Sequence, residues 1–441
     1  MSTLLRHPLL QAVNDLKRAF VLNGFILLDH GMHPEIEKED FSVPLFMEPE
    51  DASLPPIPLL ENGSYVLRTR LLPGRLSSIP KGAPLRAVTC GKVFDASDKE
   101  HPEHMRLEGI VAQPDLRINS YTLIWDRIAE GTLGIGSRAE LERIGKKTYQ
   151  VKIIDRAGKI YQLGWTGEAK WLASEYLGTN QPGIKTWAFI IDADAFAMQL
   201  HTIDTRHSLY TSDVSVLSAY HSSEMSVGNT IEERASDVLR SLGYTEFIGP
   251  TIYEAGAYKK MNMFQDEWDK NNKGVPLTRK TSEQDALRTV LAPSLEDALA
   301  KNFKAGNKDV RIFETGHIFL PKGRHDKDKT PYEKLSLSVG AYGPDMDYET
   351  FTQEVKKILD GLGVKIHYFV ETEAAIAYHA KECSLIMSRM GGYLFGNFGQ
   401  ISLKAQKNYG IGVPAYMAQF ELEPLEMDAL SELQKNPEEI A

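Results

Sequence analysis

Cysteine is scarce in this chain: Cys90 and Cys383 are the two in 441 residues, and neither stands in a CxxC or Cys/His spacing. That excludes a disulfide framework and a thiolate zinc site, and two isolated thiols fit a reducing compartment. Long apolar runs are missing too; none approaches the roughly 20 residues that cross a bilayer, so no membrane span is predicted. Met1 to Gln11 carries Arg6 as its one charge and lacks an apolar core with a small-residue cleavage site, which predicts no secretory signal and a cytoplasmic protein. Positive charge is in deficit, since 50 Lys and Arg against 60 Asp and Glu leave a net charge of -10. Non-specific adhesion to nucleic acid is opposed by that balance, and any RNA partner would need a local basic patch. Gly-rich phosphate loops of Walker or Rossmann type, GxSxG and HExxH are all absent, so the enzyme classes built on them gain no support.

What the chain does have, it has twice. Leu67-Arg68-Thr69-Arg70-Leu71-Leu72-Pro73-Gly74 returns as Leu287-Arg288-Thr289-Val290-Leu291-Ala292-Pro293-Ser294. Upstream, Leu22-Asn23-Gly24-Phe25 and Leu242-Gly243-Tyr244-Thr245 precede the two copies at nearly the same distance; downstream, Gly91-Lys92-Val93-Phe94 and Gly316-His317-Ile318-Phe319 follow them. Three landmarks in one order predict two copies of one domain joined head to tail. The length agrees, because 441 residues exceed what one core usually holds.

Each copy opens on a helix. Leu10, Val13, Leu16, Phe20 and Val21 recur at helical steps with Gly24 as the stop, and Ile231 to Leu242 repeats the pattern before Gly243. Phe25 to Asp29 and Phe247-Ile248 then read as strand starts, Leu295 to Phe303 as a helix, and Pro49 to Pro58 as an extended linker. Strands are predicted at Tyr149 to Ile154, Lys185 to Asp192, Val310 to Phe313, Leu335 to Gly340, Tyr393 to Phe398 and Ala415 to Leu422. The predicted class is α+β, an antiparallel sheet with helices on one face in each copy. The expected division is 1–214, a linker at 215–228, 229–427, and an acidic tail at 428–441; Lys322 to Lys334 reads as an exposed hairpin tip.

The order of Gly24-Phe25, His33-Pro34-Glu35-Ile36-Glu37, the LRT segment, Gly91-Lys92-Val93-Phe94-Asp95 and His104-Met105-Arg106-Leu107-Glu108-Gly109 resembles the catalytic α subunit of phenylalanyl-tRNA synthetase, a class II aminoacyl-tRNA synthetase. Leu287 to Pro293, Asp309 to Gly316, Gly396-Asn397-Phe398-Gly399 and Phe420-Glu421-Leu422 are similar to the synthetase-like core of that enzyme's β subunit. The resemblance implies an α-like core fused to a β-like core, packed as an internal pseudo-dimer, with a homodimer as the assembly. It also implies ATP-dependent activation of an amino acid or a related small carboxylate, with ATP and Mg as cofactors if the chain is active and a tRNA as the possible acceptor. No dedicated metal site is implied.

The same resemblance gives Glu108 a catalytic and ligand-binding position, with a buried hydrogen-bonding role as the alternative, and makes Arg68 either structural or a ligand clamp; Arg106, where the family has Gln, is a catalytic candidate, and with Arg70 and Lys92 it is a cation that could face a ligand. Asp192 and Asp194, read as alternating on one strand, would face the same side and could hold a cation. Class II sites use two arginines against the α-phosphate, and here their positions are taken by Asp95 and Ala195. A carboxylate about 4 Å from phosphate repels by roughly 4 kcal/mol in a partly screened site, and a lost arginine forfeits a similar attraction. That swing is worth several decades in rate. Two readings follow: a compact synthetase relative that still activates a carboxylate, and a non-catalytic paralogue that binds an amino acid, a nucleotide or a tRNA end.

Overall fold

The structure is a computed structural model that describes residues 7–28, 36–38, 57–58, 65–76, 84–98, 101–114, 116–169, 183–218, 230–253, 257–261, 275–281, 284–322, 330–364, 367–372, 378–388 and 394–425. Backbone proximity divides the chain into a first unit, Pro8–Leu209, and a second that contains Tyr210–Ala441. The division falls a few residues before 214, and the reason is local. The Asn302 side-chain amide donates to Ser212 O at 2.6 Å, and its Oδ1 accepts from the Val214 N–H at 2.9 Å, tying this stretch to the second unit. Val214–Leu217 is a short helix capped by Asp213 rather than part of a linker. The acidic tail and most of the Pro49 to Pro58 stretch lie outside the described residues.

The first unit is built on a seven-stranded sheet. In spatial order its strands are Ile26–Leu27, Leu85–Phe94, Glu103–Pro114, Ile184–Asp192, Ile160–Glu168, Thr148–Ile154 and Arg138–Arg143. The second unit runs Thr245–Glu246, Val310–Leu320, Tyr332–Tyr342, Tyr416–Glu421, Leu394–Ile401, Tyr378–Ser388 and His367–Glu371, with the same order of connections. Each sheet is antiparallel except for its two-residue first strand, which pairs parallel to the next. The sheets are therefore mixed, not purely antiparallel as expected. In the second unit the edge strand is Thr245–Glu246, and Phe247-Ile248 lies beyond its end. A three-stranded sheet accompanies each large one, with Tyr65–Leu67 central in the first unit and Gln284–Leu287 central in the second. These short central strands deliver Arg68 and Arg288.

Helices form where the spacing and the caps agree. Pro8–Leu22 buries Leu9, Ala12, Val13, Leu16, Ala19 and Phe20 on one side, and Gly24 at φ +78 ends it. Ile231–Ser241 begins with a capping box between Thr230 and Glu233, worth about 1 kcal/mol. Phe20 stacks on Phe189 of the first sheet at 5.0 Å, and Trp125 of the helix Ile118–Leu133 meets the same ring edge-on at 5.2 Å. One aromatic cluster thus fastens two helices to one face.

The second sheet differs from the expectation of helices on a single face. Leu239, Phe351, Val355 and Ile358 of Ile231–Ser241 and Tyr348–Gly361 pack with Leu337, Val339 and Phe420. Leu295, Leu299, Ala405 and Tyr409 of Ala292–Lys304 and Leu403–Tyr409 pack with Val310, Ile312 and Met417. Alternation along a strand sends neighbouring residues to opposite faces, so these two cores cover both sides. The Lys322 to Lys334 stretch joins Val310–Leu320 to Tyr332–Tyr342, which pair antiparallel; 323–329 lie outside the described residues.

Candidate functional site

In the first unit the expected site residues gather on and around the hairpin Leu85–Phe94 and Glu103–Pro114. Arg106 stands in register between Gly91 and Asp192. Glu108 faces Thr89 across the hairpin, is fully buried, and accepts the backbone N–H groups of Leu71 and Leu72 at 2.9 Å each through Oε2. The carboxylate therefore fixes the turn that follows Arg68. Arg68 and Arg70 are buried, and Arg68 Nε donates to Lys92 O at 2.5 Å. The Lys92 ammonium is 3.1 Å from Glu103. These placements make a rigid, internally bonded support under the loop that leads to Asp95. Asp95 itself accepts from Ser97 N at 2.8 Å and Ser97 Oγ at 2.6 Å, closing an Asx turn.

Asp192 and Asp194 do not alternate on a strand. The strand ends at Asp192, whose Oδ1 caps the helix Ala193–His201 by accepting from Ala195 N at 2.9 Å. Asp194 belongs to the first helical turn, buried, and accepts the Met105 N–H at 3.1 Å. The two carboxylates still converge on a cation, and it is Arg206. Its guanidinium lies 3.5 Å from Asp192, 3.5 Å from Asp194 and 3.5 Å from Asp98. His104 joins the cluster with Nε2 at 3.9 Å from Asp98, and its pKa is lowered to about 4, chiefly by burial and then by Arg206 and Arg106. Three carboxylates around one guanidinium leave a net negative patch beside Arg106. Phosphate is disfavoured there, because the cation that could hold it is already shared among acids.

Asp98, His104 and Arg206 were not singled out from the sequence. Arg206 follows the helix Ala193–His201 with no spacing rule to tie it to Asp98, and folding alone brings the two together. Asp98 lies three residues past Asp95, so the loop that Asp95 closes is also the one that carries Asp98 to the guanidinium.

The second unit repeats the frame with the charges moved. Arg288 Nε donates to His317 O at 2.8 Å, as Arg68 does to Lys92 O, and the backbone N–H groups of Phe94 and Phe319 bond the carbonyls of Arg68 and Arg288. A Cβ at Gly91 would sit 2.5 Å from Arg68 Nη2, and one at Gly316 would sit 2.0 Å from Arg288 Nη2. The shared glycine is thus explained by the guanidinium that crosses it. Thr89 lies three residues before Lys92, and Glu314 three before His317. The first pair across the hairpin is Thr89 with Glu108, and the second is Glu314 with Ser338, so the buried acid has changed strands. Glu314 binds Arg288 Nη1 at 2.5 Å and accepts from Ser294 Oγ at 2.5 Å.

Glu296, on the helix Ala292–Lys304, is a further buried acid. It is fully enclosed, neither carboxyl oxygen finds a hydrogen bond, and burial raises its pKa well above the usual range with Lys260 opposing only in part. A carboxyl raised in this way binds its proton in the fold, so its cost to stability grows as pH rises above the unfolded value. Glu296→Leu is expected to stabilise the second unit by roughly 1–3 kcal/mol at pH 7, with a smaller gain at pH 4. Urea midpoints at the two pH values read this directly.

Comparison with known proteins places the second unit. Residues 217–422 match the family described as phenylalanyl tRNA synthetase beta chain CLM domain. The phenylalanine--tRNA ligase beta subunit of Clostridium acetobutylicum is 25% identical over 198 residues, which is 44% of this chain and 24% of that one. The corresponding subunit of Geobacter sulfurreducens is 24% identical over 209 residues, 44% of this chain and 25% of that one. The chain spans about a quarter of the length of these curated relatives. Among solved structures, pyrrolysyl-tRNA synthetase from Desulfitobacterium hafniense superposes with a TM-score of 0.37 and 21% identity, covering 45% of this chain and 67% of that one. About half of the chain is therefore similar in sequence to the β chain of phenylalanyl-tRNA synthetases. Among the described residues no helix is long and apolar enough to cross a membrane.

Proposed function

We propose that the chain is a non-catalytic relative of phenylalanyl-tRNA synthetases, an α-like unit and a β-like unit derived by internal duplication, that binds a ligand without activating it. The observation that carries this reading is the Arg206 cluster. Arg206 is shared by Asp98, Asp192 and Asp194, and by the resemblance Asp95 and Ala195 stand where class II enzymes place arginines. The identical strand order of the two sheets supports the duplication, as does the recurrence of the Arg–Gly contact.

ATP with Mg does not fit this arrangement. The carboxylates that would face a metal are paired to a guanidinium, and no group of three or more candidate ligands is found among the described residues. The ligand in this reading is an amino acid or a related carboxylate, or a tRNA end, with tRNA opposed by the overall charge of -10. The relatives are named as subunits, and a partner chain or a homodimer belongs to the same proposal.

Pyrophosphate exchange across all twenty amino acids tests it. Exchange at background for each is the expected result. Exchange above background that disappears in Arg106→Ala would show that the first unit still performs activation, and the non-catalytic reading would fall.

A further inference from the structure

A cavity of about 540 Å³ opens in the second unit, between the helix Ala292–Lys304, the segment 247–253 and the start of the unit at Tyr210. Its size lies within the roughly 300–1,000 Å³ typical of small-molecule sites. None of the residues discussed above as site residues of the first unit lines it.

The wall is aromatic. Phe247, Tyr253 and Tyr409 are buried and held in place, Tyr253 by an edge-on contact with Tyr258 at 6.2 Å between centroids and Tyr409 by the ammonium of Lys260, 4.0 Å above its ring. Tyr210, half-buried, adds a further ring. Such surfaces favour a flat ligand, because ring faces and edges pack on planar π-systems with little rotamer entropy to lose.

The charge is at the rim. Lys301 lies 2.9 Å from Asp297 and Lys260 lies 3.6 Å from the other oxygen of the same carboxylate, and all three residues line the cavity. One acid between two ammonium groups leaves a net positive charge. It also selects against a zwitterion: an incoming ammonium seeking Asp297 would be set beside two cations already there, whereas an anion meets two donors. Inorganic phosphate alone would leave most of the cavity unfilled.

We propose that this cavity binds a planar aromatic anion of nucleoside-monophosphate size, its ring against the tyrosine and phenylalanine wall and its phosphate at the pair Lys260 and Lys301. The proposal goes beyond the reading of the first unit, and its failure would leave that reading untouched, because pyrophosphate exchange and ligand binding are measured separately.

Isothermal titration of the full chain at low salt with AMP, adenosine and ribose 5-phosphate, and of Lys301→Ala with the first two, tests it. Lys301 is two-thirds exposed, so its truncation leaves the fold intact. AMP binds, adenosine binds about tenfold more weakly, and ribose 5-phosphate gives no heat; one charge-assisted contact is worth about that factor. In Lys301→Ala the AMP affinity falls to the level of adenosine, and adenosine is unchanged. Ribose 5-phosphate matching AMP would mean a bare anion site. Adenosine matching AMP would mean an apolar hole. Either result, an AMP affinity indifferent to Lys301→Ala, displacement of AMP by phenylalanine, or no AMP binding overturns the proposal.

Discussion

Replacement of Arg288 by alanine is expected to lower the unfolding free energy of the second unit by roughly 3–5 kcal/mol, the cost of leaving a buried acid without its partner. Arg288 and Glu314 are each about 1% exposed, with Nη1 and Oε1 2.5 Å apart. The same guanidinium donates to His317 O at 2.8 Å and to Pro250 O at 3.1 Å, so it joins the central hairpin to the segment after the edge strand. Its own backbone N–H bonds Thr251 O at 3.0 Å. Truncation would therefore remove a cross-link between two parts of the unit and leave Glu314 held in the core by the Ser294 hydroxyl.

The control is the paired change. Arg288→Met with Glu314→Leu removes both charges, and replacing a buried pair by apolar groups of similar volume is often neutral or stabilising. The double variant should thus be more stable than Arg288→Ala by urea denaturation. Arg288→Lys should fall between, since a single ammonium cannot reach the His317 carbonyl and the Glu314 carboxylate with the fork of a guanidinium. A loss below about 1 kcal/mol in Arg288→Ala would mean that the pair contributes no more than one ordinary hydrogen bond.

Much of this frame is legible in the chain. The helices Pro8–Leu22 and Ile231–Ser241 announce themselves through apolar spacing and a following glycine, and the long strands of the hairpins through alternation. The repeated LRT segment marks both short central strands. What the sequence could not supply was pairing at a distance. Arg288 is visible as a motif residue, but its partner Glu314 is 26 positions away and has Thr89, not an acid, as its counterpart in the first unit. The parallel edge strands Ile26–Leu27 and Thr245–Glu246 are two residues long, too short for any periodicity. Alternation with Asp192 predicts a strand position for Asp194, since that spacing looks the same whether the chain runs on or turns into a helix; the cap from Asp192 to Ala195 decides it. Arg206 had no motif at all, and its meaning comes only from the three acids that meet it.

The acid side of the stability profile gives the second large effect. His104 is buried, and its pKa falls from 6.5 to about 4, first through burial and then through Arg206 and Arg106, against the opposing pull of Asp192 and Asp98. The imidazole is therefore neutral in the fold while the unfolded chain binds a proton near pH 6.5. Between these values the unfolded state carries more protons, so stability rises with pH; the contribution is complete above the unfolded pKa and is lost as pH falls toward 4. A displacement of this size corresponds to about 3 kcal/mol, at about 1.4 kcal/mol per unit. The difference in unfolding free energy between the native chain and His104→Gln, followed by tryptophan fluorescence in urea, should shrink by about that amount from pH 7 to pH 4. Arg206→Ala should narrow the pH window of this loss from its lower edge and reduce its size by raising the folded His104 pKa toward 6.5, because a cation that opposes protonation is gone while Asp98 and Asp192 remain. A difference that stays flat across this range would mean that the folded chain protonates His104 as readily as the unfolded one, near pH 6.5. Below that pH the cluster would hold two cations against three acids, and the net negative charge that argues against phosphate beside Arg106 would be halved.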